Sequence, residues 1–185
     1  MGSDTPFEWV TTRGGDRGES GYYSGEWRRK DDLIFAAVGD IDEVNSFTGA
    51  ARAALQAGFG QDFGLTDMQR NLLRVGAMVA TSCDHELYGT IDHVTERDVE
   101  SLERLERKLL KKTRIDPVFV VPGENAVSAA VDIARSVCRR AERRLVTVIR
   151  ERGRHDLHAS QNWLNRLSDY LFILARHVEQ RGGRR

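Results

Sequence analysis

The chain has 185 residues, 40% of them hydrophobic and 30% charged, with 28 Lys and Arg set against 28 Asp and Glu. That length suits one domain with its own core, and the hydrophobic share excludes a wholly disordered chain. A formal net charge of zero gives no general pull toward nucleic acid or anionic lipid, so any polyanion must be held by a local cluster.

No window approaches the roughly 20 apolar residues of a membrane span. The N-terminal MGSDTPFEWV lacks an apolar signal core. A cytoplasmic protein with neither membrane nor nucleic-acid partners is expected. Cys83 and Cys138 stand in apolar, helix-like stretches and read as reduced core residues. No Cys/His set has zinc-ligand spacing.

A single domain over 1–185 is expected, divided into an arm (1–30) and a helical bundle (31–181). The arm is dense in glycine (Gly14, Gly15, Gly18, Gly21, Gly25) and shows no apolar period, so it reads as a loop or ordered tail. Five segments with a 3.6-residue period follow. The first covers about Asp32 to Leu55, with Ile34, Val38, Ile41 and Val44 on one face. The second covers about Leu65 to Ser82, with Met68, Leu72, Val75 and Val79. The third starts after Thr95, which forms a capping-box pattern with Asp98, and carries Val99, Leu102, Leu105 and Leu109. The fourth covers about Asn125 to Arg150 and the fifth about Ser160 to Gln180, the latter striped by Leu164, Leu167, Leu171, Leu174 and Val178. Gly182 and Gly183 supply a helix stop. Phe119 to Val121 suits a short extended piece before the Pro122–Gly123 turn. The fold class is all-α: a five-helix up-and-down bundle with a glycine-rich N-terminal arm.

Four clusters exceed what a bundle needs. In TTRGGDRGES, Thr11 to Ser20, glycines allow close backbone approach and free N–H groups suit an anion; Arg13, Arg17 and Lys30 add charge. It is neither a Walker A loop nor a dinucleotide fingerprint, and a plain surface arm is the other reading. In ARSVCRRAERR, Ala134 to Arg144, Arg135, Arg139 and Glu142 share one helical face and Arg140 and Arg143 the next. Crowded guanidinium groups either hold a phosphate or form a solvated basic face; the two readings weigh evenly. In NWLNRLSDYLF, Asn165 and Asp169 lie one turn apart in an apolar helix and need polar partners, on the previous helix or elsewhere. In GDIDEVNS, Asp40, Asp42 and Glu43 suit either a weak metal site or partners for arginines of another subunit.

In this order the clusters resemble the PduO-type ATP:cob(I)alamin adenosyltransferases, over about Thr11 to Arg176. Thr12, Gly15, Asp16, Gly18 and Ser20 match the family's opening stretch. Lys30 and Asp32 match its Lys-x-Asp, and Gly39, Asp42, Glu43, Asn45 and Ser46 match the helix that follows. Phe119 and Pro122 match its Phe-x-x-Pro. Cys138 to Arg143 and Leu164 to Phe172 match its two signature runs without a gap. The resemblance implies a homotrimer with sites at subunit interfaces, transferring the 5′-deoxyadenosyl group of ATP to the cobalt of a reduced cobalamin or other corrinoid. Thr12, Arg13, Gly14, Gly15, Ser20, Gly21 and Lys30 would line ATP from the arm. Arg139, Arg140, Glu142, Arg143 and Asn165 would hold it from the neighbouring subunit, with Mg²⁺ on the triphosphate. Arg135 would pair with Asp42 across the interface, and Phe119 would sit under the corrin ring in place of an axial ligand. A reductase and an adenosylcobalamin-dependent enzyme are the implied partners. Glu124 and Asn125 stand where the family has small residues, so Glu124 is expected to cap a helix start or reshape the corrinoid entrance. The competing classes are a corrinoid or nucleotide carrier without turnover and a helical nucleic-acid binder.

Overall fold

The computed structural model describes residues 5–182. A short α1 (Phe7–Val10) leads to a hairpin of β1 (Glu19–Gly21) and β2 (Trp27–Arg29), and then come α2 (Leu33–Phe59), α3 (Leu65–Val79), α4 (Glu96–Leu110), α5 (Ala126–Arg152) and α6 (His158–Gly182). The five periodic segments are therefore the five long helices. Asp32 caps α2 by accepting from the Ile34 amide, and Thr95 with Asp98 closes the expected capping box on α4. Gly60 and Gly153 end α2 and α5 in the left-handed conformation, which costs glycine little. Asn125, not Glu124, caps α5; its side chain accepts from Ser128 N and Glu124 stays exposed.

α6 is the centre of the bundle. Trp163, Leu164, Leu167, Leu171, Leu174 and Val178 are buried, and α5 and α4 pack on its two sides. α2 lies against α5, and α3 against α2. Two polar groups inside this core are paired: Cys138 Sγ donates to the Leu164 carbonyl at 3.2 Å, and Arg154 donates to the Met78 carbonyl at 2.7 Å. Burial pushes the Cys138 thiol well above its ordinary pKa, so it stays protonated. Cys83 differs from expectation. It lies just past the end of α3 and is exposed, because the apolar run that suggested burial stops at Val79.

The arm is the ordered tail of the two readings that glycine content left open, and it contains a hairpin that the sequence did not show. Tyr22 and Glu26 pair across a turn at Ser24–Gly25, where Gly25 has φ +94°. The strands run antiparallel, with Ser20 opposite Arg28. Tyr23 N donates to the Ala80 carbonyl at 3.0 Å, and the Tyr22 ring meets Phe35 edge-on at 5.2 Å. A hairpin this short shows no readable alternation, so its signal in sequence is lost. Phe119 to Val121 forms no strand and is exposed.

Candidate functional site

The basic run lies in the middle of α5, and its neighbours sort the arginines. Arg140 Nε donates to Asp40 at 3.0 Å and its terminal nitrogen reaches Glu43; Arg144 approaches Asp40 at 3.4 Å. Arg135 donates to Asp132 at 2.9 Å, and Arg176 donates to the same buried carboxylate at 2.5 Å. Arg139 and Arg143 are left. They are exposed, one turn apart, and have no side-chain partner among the described residues. Two cations at that spacing repel, so an anion between them is favoured. The acidic residues of α2 thus pair within the chain, and Asp42 alone of the three stays exposed without a partner.

Beside the two free arginines, Glu142 accepts from Asn165 Nδ2 at 2.9 Å. Arg166 donates to Asn165 Oδ1 at 2.6 Å and to Glu103 at 3.1 Å. Because Arg166 can only donate, it fixes which end of the Asn165 amide is oxygen and turns the NH₂ toward Glu142. Sequence reading placed Asn165 and Glu142 but missed Arg166, whose partner Glu103 comes from α4. The neighbouring Asp169 pairs with Arg166 at 3.3 Å and not with α5.

In the arm, Gly15 has Lys30 directly above it: a Cβ there would lie 2.5 Å from Lys30 Nζ. Gly14 and Gly21 lie beneath the Trp27 ring. Thr12 Oγ1 accepts from Gly14 N at 3.4 Å, and Arg13 holds φ +56°, a left-handed residue that opens the turn. Ser20 sits half-buried in β1. The structure thus gathers Thr12, Arg13, Gly14, Gly15, Ser20, Gly21 and Lys30 on one hairpin. It does not bring them to Arg139 and Arg143 of the same chain. The arm's contacts run to Phe35, Ala80 and Asp32, and Asp32 is held by Arg152 at 3.1 Å. α5 rises about 18 Å between Arg140 and Arg152. Phe119 stands fully exposed on the loop before α5, where Pro122 and Gly123 overhang a hollow lined by Ile133 and Val137.

The sequence profile of the cobalamin adenosyltransferase family matches residues 10–178. The chain belongs to this family. It is 38% identical over 179 residues to the corrinoid adenosyltransferase of Homo sapiens, covering 94% of this chain and 70% of that protein. It is 37% identical over 183 residues to the corrinoid adenosyltransferase of Bacillus subtilis, with 93% and 87% covered. Among solved structures, a variant PduO-type ATP:corrinoid adenosyltransferase from Lactobacillus reuteri, complexed with cobalamin and ATP, superposes with a TM-score of 0.84 at 27% identity, covering 94% of this chain and 95% of that one. A second variant of that type, complexed with ATP, gives 0.80 at 27% identity, with 93% and 95% covered.

One titratable group flanks the Asn165 network of this adenosyltransferase. Burial, and then the charge of Asp169, push the Glu106 carboxyl up to about 7, against the opposing pull of Arg166; Glu103 adds to the rise and Arg107 opposes it. Glu106 Oε1 is buried with no hydrogen-bond partner among the described residues. The folded chain therefore holds this proton more tightly than the unfolded chain. The stability it contributes is full below about 4.5, the ordinary value, and is lost as pH rises through about 7. Glu106→Gln should remove that loss, so that the variant's thermal midpoint gains on the wild type between about pH 4.5 and about pH 8. Parallel melting curves across that window would show that Glu106 does not titrate there.

Proposed function

We propose that this adenosyltransferase moves the 5′-deoxyadenosyl group of ATP onto the cobalt of a reduced corrinoid, releasing triphosphate, at a site shared between subunits. The observation that carries the site is the sorting of α5: Arg135, Arg140 and Arg144 are engaged with carboxylates, whereas Arg139 and Arg143 are not. Cobalt(I) supplies the electron pair of the new cobalt–carbon bond. The C5′–oxygen bond breaks and its pair leaves on the triphosphate. No side-chain nucleophile or base is required, which agrees with a site of arginines, amides and one amide–carboxylate pair. Arg139 and Arg143 stabilise the departing charge, and Asn165 with Glu142 orients the nucleoside.

The glycine-rich arm covers the phosphates with the amides of Gly14 and Gly15, and Lys30 adds a charge from above. Residues 1–30 act as the nucleotide-binding arm and 31–181 as the bundle of one domain. Mg²⁺ belongs with the nucleotide: among the described residues no set of three His, Cys, Asp or Glu forms a cage, and Mg²⁺ on a triphosphate needs few protein ligands. Phe119 forms the apolar seat of the corrin ring, excluding water from the lower face of cobalt. The chemistry requires a reductase to deliver the low-valent cobalt and an adenosylcobalamin-dependent enzyme to take the product. No helix of the described residues is long and apolar enough to cross a membrane. Both cysteines are free, and a reducing compartment such as the cytoplasm suits them; cell fractionation checks this.

The separation of arm and arginines within one chain supports assembly of several copies, and the homotrimer implied by the family resemblance is the assembly proposed. A second copy must bring its arm to Arg139 and Arg143. Asp42, unpartnered beside the apolar groove of Tyr23 from the arm, Val38 of α2 and Leu73 of α3, receives a terminal nitrogen of Arg135 of the next copy, whose Nε stays on its own Asp132.

With ATP, cob(II)alamin and a strong reductant, the corrin spectrum should change to that of the alkylated product. Arg139→Ala should lower kcat/KM by about a hundredfold or more while the thermal midpoint stays within a few degrees; equal losses of activity and stability would assign Arg139 to the fold. Phe119→Ala should leave ATP affinity intact and slow cobalt reduction or alkylation, and unchanged turnover in that variant would remove the corrin seat from this loop. Asp42→Arg should reduce the assembly seen by light scattering together with turnover, with partial recovery when combined with Arg135→Glu. An assembly unaffected by Asp42→Arg would refute the interface pair.

A further inference from the structure

The wall of α6 opposite the Asn165 network carries a second hollow. Tyr170 stands roughly 140° around α6 from Asn165. Together with His177 and Arg181 on the same face, it faces Leu105, Lys108 and Leu109 of α4, Lys112 just past the end of that helix and the Phe63–Gly64 corner before α3, around a cavity of about 560 Å³. That volume falls in the range of small-molecule sites.

Two features show a built site. Its floor is apolar and rigid: Tyr170, 4% exposed, donates to the Phe63 carbonyl at 2.6 Å, and the Phe63 ring meets His177 edge-on at 5.9 Å. Phe63 keeps φ +53°, a left-handed conformation that a bulky residue adopts at a cost and that the Tyr170 bond holds in place. Its rim is cationic: Lys108, Lys112 and Arg181 line it with no carboxylate among the lining residues. Neither lysine has a side-chain partner among the described residues, and Arg181 stacks on Phe59 at 5.3 Å. Lys108 in the last turn of α4 and Lys112 just past its end both line the hollow, and two cations so placed repel in the absence of an anion. In a chain with equal numbers of acids and bases, an apolar hollow ringed by three cations and no acid selects for its complement.

We propose that this hollow binds a small amphipathic anion, an apolar chain or ring bearing one carboxylate or phosphate head. The head lies between Lys108, Lys112 and Arg181, and the body lies on Phe63, Leu105, Leu109 and Tyr170. His177, held by Thr113 at 3.0 Å, forms the inner wall. Its ring is kept below the ordinary imidazole pKa by burial and by the charges of Arg181 and Lys112, so it presents a neutral surface to the body of the ligand.

The test uses the full chain with sodium octanoate, octyl phosphate and inorganic phosphate, read by calorimetry and by the NMR signal of the His177 ring. Octanoate or octyl phosphate should bind and shift that signal, and the stronger of the two identifies the preferred head group. Inorganic phosphate should not shift it. Lys108→Ala combined with Lys112→Ala should weaken binding about tenfold or more. The fold should be retained, and Lys111→Ala, an exposed lysine outside the lining, should change nothing. The proposal is overturned by equal affinity in the double variant, by inorganic phosphate acting as well as octanoate, or by no binding of either amphiphile up to about 10 mM. A His177 signal that moves with protein concentration instead would mark a contact between copies and equally refute it. Adenosylation plays no part in these readouts, so the outcome stands apart from the proposed reaction.

Discussion

The seam between α2 and α5 sets the chemistry available to this protein. Asp40 and Glu43 project from α2 toward Arg140 and Arg144 of α5, and Asp32 meets Arg152 at the far end of the same antiparallel pair. Exposed ion pairs of this kind add little stability individually. Their consequence is selective: they turn one side of a basic helix into structure and leave the other side charged and unpaired. Arg139 and Arg143 are free because Arg140 and Arg144 are not.

A second constraint comes from α6, whose burial on most of its circumference leaves few positions for polar groups. Asn165, Arg166 and Arg176 are each tied to a neighbouring helix. Arg166 settles the orientation of Asn165, and Arg176 shares Asp132 with Arg135. The residues next to the free arginines are thus held by helices on both sides. A site that stabilises a leaving group by electrostatics needs this rigidity, since donors that must reorganise lose much of their effect. The arm is different in kind. It is a small hairpin anchored by Tyr22 and Tyr23 at the ends of α2 and α3, and its glycines leave the backbone open to a ligand.

The sequence by itself determined the five helices, because each carries a 3.6-residue stripe, reinforced at α4 by the Thr95–Asp98 capping box. It determined the family through two uninterrupted runs, Cys138 to Arg143 and Leu164 to Phe172, and with it the expectation of adenosyl transfer. Tertiary structure alone decided which of the consecutive arginines are free, since Asp40 lies 100 residues from Arg140 in the chain. It alone revealed Arg166 as the group that orients Asn165, the exposure of Cys83 and the hairpin in the arm. It alone formed the cationic hollow at Tyr170, whose walls come from α4, α6 and the loop before α3. Periodicity reports which face of a helix is buried; it carries no record of which distant side chain meets that face, and pairing of charges is a matter of meeting.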